Sequence, residues 1–442
     1  MKEKLKKIIN KIKSNEFWKN LFKNSFFAVI GEGGASFINL FVIILLIKLL
    51  GSEGYGVLTL AQTYTTMVDT IINVQCWRAV IKYGEAAKTQ KKIKELYGYI
   101  KLGTIIDILT AILGTILSFL LVNIVGKIMD WDSTMQLAAK IFSLVVISHF
   151  SGTPTAVLRM ENKFNLVSIQ KIVASMIKFV VLIYILFFYK ELTIMNGVII
   201  YAITDVIANL LLVVMSIIVI HKNYGIKKVL HAKLPHDSKE FVKFTMWTTL
   251  ADITDIPVNY FDVFILSKLN LKLVAVFKVF KQCVFLISKL STPIYQAIFP
   301  QFSKLTANDK LDVAYAAVMK IQKFIIMYIL PIFTIVGLTS YFWLNIIFDN
   351  YYASHWYVLC IYLIIHTISI SFTTIHPLFI SMGKVKEDFA YVLFTNILYF
   401  ICALILVSKI GIIGIVISYG IQSFTNIALK RRKIEQTING KG

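Results

Sequence analysis

Residues 26–58 read FFAVIGEGGASFINLFVIILLIKLLGSEGYGVL, and this stretch decides the fold class of the chain. Its apolar part is long enough to cross the ~30 Å hydrocarbon layer of a bilayer, which takes about 20 helical residues. A glycine-rich turn follows at residues 51–56, and a second apolar run begins directly after it. The stretch therefore predicts two membrane-spanning helices joined by a tight turn, because glycine allows positive φ and close backbone approach.

The same pattern continues along all 442 residues. Apolar and aromatic residues make up 57% of the sequence and charged residues 16%, and the mean hydropathy is +0.73. Soluble domains contain about 45–50% apolar and about 25% charged residues, so the composition excludes a soluble enzyme, a disordered protein and a disulfide scaffold. The apolar runs are also continuous, unlike the alternating strands of ~10 residues in a membrane β-barrel. The chain is predicted to be an all-α integral membrane protein.

Twelve apolar runs of spanning length follow one another, and we number them spans 1 to 12. The longest connection between them, residues 222–240, lies at the midpoint of the chain. Sliding the sequence by 219 residues aligns span 1 with span 7 and span 2 with span 8, as expected for an internal repeat. Two pseudo-symmetric six-helix bundles are predicted. The runs are 22–49, 55–83, 96–124, 134–159, 164–189, 195–221, 241–267, 273–299, 315–345, 355–382, 389–407 and 411–429.

The charges outside the runs predict the orientation in the membrane. The net charge is +22, and 27 Lys and Arg lie on the side of the N-terminus against five on the other side. This bias places both termini in the cytoplasm. The predicted regions are an interfacial amphipathic helix (1–21), an N-terminal six-helix bundle (22–225), a cytoplasmic linker (226–240), a C-terminal six-helix bundle (241–429) and a basic cytoplasmic tail (430–442).

Ionised side chains within the spans are candidates for function, because each costs ~2.5–3.5 kcal/mol at the bilayer centre unless it faces a partner or a cavity. Span 8 carries Lys278, Lys281 and Lys289 on one helical face, and span 7 carries Asp252 and Asp255 on one face before Pro257. Two interpretations remain open: the two helices pair their charges in a buried network, or the lysines face a water-filled cavity that holds an anion.

Further charged residues lie within or at the end of a span. Glu32 lies beside glycines in the middle of span 1. It either pairs with a buried base such as Lys178 or has a functional role. Asp69 lies within span 2, and Arg78 near its cytoplasmic end either extends to the interface or guides a phosphate by bidentate contacts. The four cysteines lie in apolar runs without metal-ligand or disulfide spacing, so no metal site or cofactor is predicted.

Several short motifs resemble those of one family. Leu50–Leu58 (LGSEGYGVL) resembles the LGxxxYGxxxL turn of polysaccharide biosynthesis membrane proteins, the Wzx-type lipid-linked oligosaccharide flippases of the MOP superfamily. Further matches are Phe299–Leu305 (FPQFSKL), Arg78 and Ser381–Lys384 (SMGK). The superfamily also contains the MATE exporters and the lipid II flippase. The chain departs from the family at the start of span 8, where Ala275–Lys278 replaces the usual Gly-x-Tyr pattern.

The resemblance implies a MATE-like fold in the cytoplasmic membrane and a transporter, not an enzyme. Its substrate would be an undecaprenyl-pyrophosphate-linked oligosaccharide, moved from the inner to the outer leaflet by alternating access. Lys278, Lys281, Lys289, Arg78 and Lys178 would bind the pyrophosphate or the glycan.

Glu32, Asp69, Asp252 and Asp255 are predicted to bind a coupling ion, Na⁺ or H⁺, or to act as counter-ions. Expected partners are the lipid-linked substrate, membrane lipids and the polysaccharide polymerase machinery, with no nucleic acid. Two alternatives remain. A MATE-like cation-coupled exporter would usually have an acidic cavity, and a membrane glycan polymerase or ligase would need a longer outer loop or an Arg/His site.

Overall fold

The computed structural model of the chain describes residues 16–74, 76–189 and 191–439. These residues form helices and short connections and contain no strand, which confirms the predicted all-α class. The helices follow one another at the positions of the predicted runs. Eight of the described helical stretches are individually long and apolar enough to cross a membrane. The predicted interfacial helix at residues 1–21 lies mostly outside the described residues, and the prediction stands untested.

The helices of the two halves are as follows. The N-terminal half contains Glu16–Ile72, Trp77–Thr89, Ile93–Ile128, Ser133–Ser143 with a 3₁₀ turn at Leu144–Ser148, Gly152–Met160, Phe164–Phe188 and Ile194–Asn223. A short helix, Ile226–Leu230, lies in the linker. The C-terminal half contains Ser238–Ile253, Ile256–Ser267, Leu271–Ala307, Leu311–Phe324 with a π-helical turn at Ile325–Ile329, Leu330–Leu338, Ser340–Ile347, Asn350–Ala353, Trp356–Ser371, Ile375–Ser381, Val385–Ile410 and Ile413–Asn439.

Two glycines of the quoted turn have different structural roles. Gly51 adopts φ 69° and ψ 169°, a conformation available almost only to glycine, and here span 1 turns into span 2. Gly56 has ordinary helical geometry, but a Cβ atom there would lie 2.2 Å from the carbonyl oxygen of Leu271. The beginning of span 2 therefore touches the beginning of span 8, and this contact holds the two halves together.

Several spans are interrupted part-way through the bundle. Span 2 breaks between Ile72 and Trp77, and span 4 breaks between Ser148 and Gly152. In the other half, span 7 breaks at residues 254–255, just before Pro257 as predicted, and span 10 breaks at residues 372–374. Spans 4 and 10 are equivalent in the predicted repeat. Broken helices expose backbone groups at membrane depth, where transporters use them to line cavities.

The connection between the halves is fixed to the N-terminal half. Lys101 Nζ donates a 3.0 Å hydrogen bond to the carbonyl oxygen of Ala232. Gly98 packs against the carbonyl group of Lys233: a Cβ atom added at Gly98 would lie 2.6 Å from that carbonyl oxygen. Near this connection Tyr99 stacks on Phe241 at 5.8 Å between ring centroids. We call this end of the bundle the linker side and the end with Gly51 the far side.

The core and the surface both match a membrane environment. The largest buried apolar cluster includes residues of both halves, such as Tyr64, Phe142, Phe280 and Tyr399. Large apolar side chains also cover the outside, and Ile346 is 83% exposed. An outer surface of this kind is stable against lipid chains but not against water.

Candidate functional site

Polar cavities lie on both sides of the boundary between the halves. The N-half cavity, of about 340 Å³, is lined by Glu32, Ser36, Asn39, Lys171, Lys178 and Asp205 among others. The C-half cavity, of about 160 Å³, is lined by residues including Asn259, Asp262, Lys281, Ser288 and His366. Phe285 of span 8 lines both, so the cavities adjoin at its side chain. We call the combined space the cleft.

Ion pairs neutralise most charges of the N-half cavity. Lys178 of span 5 donates to Asp205 of span 6, and its ammonium lies 4.1 Å from the ring centroid of Tyr201. Glu32 of span 1 accepts a 3.1 Å hydrogen bond from Lys171 of span 5. The sequence suggested Lys178 as the base beside Glu32, and in the structure Lys171 has that position. These pairs connect spans 1, 5 and 6 and leave this wall nearly neutral.

The lysines of span 8 differ from one another. Lys281 donates to Asp262 of span 7 and, at 2.9 Å, to the carbonyl oxygen of Asn259. Lys278 lies close enough to this pair to interact with it electrostatically, but it forms no ion pair or hydrogen bond with the described residues. The side chain of Lys289 lies outside the described residues. Lys281 is therefore paired with span 7, and Lys278 is not.

A bidentate ion pair joins the halves near the linker side. Arg78 of span 2 donates to both carboxylate oxygens of Asp252 of span 7, at 2.8 and 3.0 Å. A longer bond of 3.4 Å reaches the carbonyl oxygen of Thr248. The two side chains remain 36% and 49% exposed, so water reaches the pair. Asp252 is thus engaged by Arg78 and not by the lysines of span 8.

A second arginine adjoins Arg78, and the sequence did not single it out. The guanidinium groups of Arg78 and Arg159 lie over the ring of Trp77, at 4.8 and 4.7 Å from its centroid. Arg159 Nε is buried and has no hydrogen-bond partner among the described residues. Arg159 is the last residue of the predicted span 4, and in the structure it lies in the last turn of the helix Gly152–Met160. In the sequence, Pro154 was the signal that could have indicated the break at residues 149–151 and the separate helix that carries Arg159.

The two remaining acidic candidates lie beside helix breaks. Asp255, at the break of span 7, accepts a 3.2 Å hydrogen bond from Asn396 Nδ2, which also donates to the carbonyl oxygen of Thr254 at 2.8 Å. Gln422 Nε2 donates to Asn396 Oδ1 at 3.1 Å and orients that amide. Asp69, near the break of span 2, lies 2.7 Å from His149 Nδ1. Among the described residues, no group of three or more His, Cys, Asp or Glu side chains could hold a metal ion.

Taken together, the fold and the cleft define a class of protein: a multi-pass, all-α membrane protein whose two helical halves enclose a polar, charged space. The chain belongs to the polysaccharide biosynthesis protein family, whose pattern it matches over residues 21–306. It is also 24% identical to the inner membrane protein YghQ of Escherichia coli (strain K12) over 117 residues. That match covers 26% of this chain and 33% of the relative, so it spans about a third of the relative's length.

Solved structures show the same fold at low sequence identity. An inward-facing MATE multidrug transporter of the MOP superfamily superposes with a TM-score of 0.72 at 14% identity, covering 91% of this chain and 94% of that one. The lipid II flippase MurJ, in an inward closed conformation, gives 0.70 at 15% identity over 92% and 87% of the two chains. A MOP superfamily transporter from Pyrococcus furiosus gives 0.58 at 14% identity over 95% and 96%. The predicted MATE-like architecture is confirmed.

Proposed function

We propose that this protein moves an undecaprenyl-pyrophosphate-linked oligosaccharide from the inner to the outer leaflet by alternating access between its halves. Two facts support the proposal: the chain belongs to a polysaccharide biosynthesis family, and its cleft lies between two halves that touch at both ends. Such a substrate has an anionic diphosphate, a polar glycan and a lipid tail. The cleft offers cations and polar walls, and the outer surface around it is apolar.

The observation that carries the proposal is the pair of cations without a carboxylate partner. Arg159 lies beside Arg78 near the linker side. Lys278 lies towards the far side, about two helical turns from Leu271. No described carboxylate forms an ion pair with Arg159 or Lys278. A desolvated cation is costly until an anion approaches, so a diphosphate that crosses between the two sides would gain from each in turn. Arginine can bind two phosphate oxygens at once, and lysine acts as a point charge.

The remaining candidate residues would then divide into two roles. Arg78, Arg159, Lys278 and Lys289 would attract and hold the diphosphate. Lys178 and Lys281 already have carboxylate partners, so we propose that they shape the walls of the cleft and contact the substrate only if those ion pairs open. The amides and hydroxyls of Ser36, Asn39 and Gln170 can hydrogen-bond the glycan from the N-half cavity.

Coupling to an ion gradient would involve the acidic residues. Asp255, the amide of Asn396 and the freed carbonyl of Thr254 form an oxygen-rich group at the break of span 7, suited to Na⁺ or H⁺. Glu32 and Asp252 are better described as counter-ions, since each has a basic partner. If Asp255 binds the coupling ion, Asp255→Asn abolishes the dependence of transport on that gradient without lowering protein abundance. Unchanged gradient dependence would remove Asp255 from the coupling site.

The orientation and partners complete the proposal. With both termini in the cytoplasm, cysteines introduced at residues 84–95 and 222–240 should react only with reagents that enter the cell. Labelling of either segment from outside would overturn the topology. Membrane lipids surround the apolar surface, and the polysaccharide polymerase machinery would receive the flipped repeat unit.

The decisive experiment follows the lipid-linked repeat unit in cells. Loss of the protein should cause this intermediate to accumulate on the inner face of the membrane. The double variant Arg159→Gln, Lys278→Gln should reproduce the accumulation at normal protein abundance, while Lys409→Gln, an exposed far-side change, should not. Full surface glycan in the double variant would refute the assignment of the two cations. If deletion leaves the intermediate at its normal level but sensitises cells to toxic cations, the protein is a MATE-like exporter.

A further inference from the structure

A buried acid and a histidine form a pair in the N-terminal half that the proposed substrate site does not use. Asp69 of span 2 is only 6% exposed, and its Oδ2 lies 2.7 Å from Nδ1 of His149 of span 4. Its other oxygen, Oδ1, is buried and has no hydrogen-bond donor among the described residues. The carboxylate therefore keeps one acceptor without a donor beside the imidazole.

The pair lies at the level where spans 2 and 4 are both interrupted. Asn73, in the break of span 2, donates through Nδ2 to the carbonyl oxygen of His149 at 3.1 Å, and accepts a 3.0 Å hydrogen bond from Thr110 of span 3. His149 itself lies in the break of span 4. One polar layer thus connects the two breaks directly, and its protonation state can alter both.

Asp107 of span 3 contacts both helix breaks as well. Its two carboxylate oxygens accept from the backbone N–H groups of Cys76 and Thr153, at 3.0 and 2.5 Å. These residues begin the helices Trp77–Thr89 and Gly152–Met160. A carboxylate at the start of a helix stabilises it by satisfying free N–H groups. Asp107 therefore binds both linker-side half-helices to span 3, so they are linked to each other through one side chain.

These two half-helices carry two arginines near the linker side. Trp77–Thr89 contains Arg78, which reaches across to Asp252, and Gly152–Met160 contains Arg159. A change of angle at the breaks would move both guanidinium groups relative to the C-terminal half. The polar layer is thus the point at which a local chemical event can change the shape of the cleft.

Charged and titratable groups face the pair from several spans. His149 faces Asp69 on span 2 and interacts electrostatically with Asp205 on span 6, whose charge is offset by Lys178. Asp69 also interacts electrostatically with Tyr260 of span 7, which is hydrogen-bonded to Thr70. Asp107 adds a further negative charge on span 3. Without a proton on His149 the layer is therefore rich in negative charge.

We propose that Asp69 and His149 form a proton-binding site whose occupancy sets the angle of the linker-side half-helices of spans 2 and 4. With Nδ1–H donated to Asp69, the incoming proton binds Nε2, for which the described residues provide no hydrogen-bond partner. The pair then changes from a net charge of −1 to neutral, and the imidazolium donates a stronger, charge-assisted bond to Asp69. Proton uptake strengthens the hydrogen bond that joins span 2 to span 4 at the breaks, and proton release weakens it. The link to transport rests on the proposed function, whereas proton binding does not.

The test needs no substrate. Purified protein in lipid nanodiscs is titrated with acid while infrared difference spectra record carboxylate and imidazole ionisation. In parallel, fluorophores on unnatural amino acids at exposed positions 89 and 239, one on each half, report the distance across the linker side. We expect a distance change with the same midpoint pH as the infrared signal. Asp69→Asn and His149→Gln should each remove both signals, and Asp312→Asn, an exposed carboxylate in span 9, should retain them.

Each outcome has a clear meaning. If the distance still follows pH with the wild-type midpoint in Asp69→Asn or in His149→Gln, the pair is not the switch and the proposal is wrong. It is equally wrong if the pair titrates and the distance stays constant. Should Asp69→Asn fail to fold, the double variant Asp69→Asn, His149→Gln, which keeps an amide in each position, is measured instead. Failed glycan export with an intact pH response would count against the proposed function and not against this site.

Discussion

Arg78 and Asp252 join the halves of the chain by two parallel hydrogen bonds of 2.8 and 3.0 Å, across the linker side of the cleft. This end must separate when the cleft opens toward the linker side, so the pair opposes opening. Because both side chains are partly exposed, the pair contributes only about 0–1 kcal/mol, up to roughly a fivefold change in the balance of conformations.

The first prediction follows from that ion pair. Asp252→Asn should shift the distance between labels at positions 89 and 239 toward the open form by up to about fivefold in population. The exchanged pair, Arg78→Asp with Asp252→Arg, should recover part of the closed population, because opposite charges still face each other. An equal open fraction in wild type and in Asp252→Asn would show that the pair does not control opening.

The contact between Gly56 and Leu271 gives a second prediction. Gly56→Ala would place a Cβ atom 2.2 Å from a backbone carbonyl oxygen that cannot move aside by rotation. We expect a loss of about 1–3 kcal/mol in stability, as for overpacked sites, seen as a lower midpoint of thermal unfolding in detergent. Gly33→Ala is the matched control, since an added Cβ there meets nothing within 4 Å. That change should be neutral or stabilising, because alanine favours the helix.

A third prediction concerns the buried pair of Asp262 and Lys281. Removing one partner leaves an uncompensated charge, so Asp262→Asn and Lys281→Gln should each lower the free energy of unfolding by up to about 3–5 kcal/mol. The double variant should be more stable than the sum of the single losses predicts, because the two residues interact directly. Additive losses in denaturant unfolding would mean that the pair contributes no coupling.

A fourth prediction uses Glu161, in the turn between spans 4 and 5. Burial acts to raise the pKa of this carboxyl, but hydrogen bonds from Lys88, Tyr224 and Asn223 outweigh it and hold the pKa below its ordinary value. A lowered folded pKa means that the stabilisation is present above the unfolded pKa of about 4.3 and is lost as pH falls through the folded value. Glu161→Gln should therefore lower the unfolding temperature at pH 7, with the difference from wild type shrinking below pH 4.3. A difference that stays constant with pH would exclude this ionic role.

The sequence predicted the features that depend on local chemistry. Apolar runs of spanning length gave the all-α membrane class, and Gly51 and Pro257 marked a turn and a helix break that the structure contains. The 219-residue offset also indicated the two halves, because an internal repeat leaves helices of equal length in equal order. These signals are carried by a few neighbouring residues or by spacing along the chain.

Features that depend on which spans touch could not be predicted. The partner of Lys281 is Asp262 and that of Arg78 is Asp252, yet both acids lie on span 7 at helical spacing, and spacing alone does not decide which base each one meets. Arg159 ends the predicted span 4, and nothing in the spacing places it beside Arg78. Asp107 binds the starts of two half-helices through backbone N–H groups, which have no sequence signature.

The attachment of the linker to span 3 limits how the two halves can move. Gly98 and Lys101 fix residues 232–233 to span 3, and the first helix of the C-terminal half begins only a few residues later, at Ser238. The connection between the halves therefore has no slack that could be drawn out when the cleft opens. Any widening of the linker side must come from bending within the helices, at breaks such as those of spans 2, 4 and 7, and cannot come from a lengthened linker.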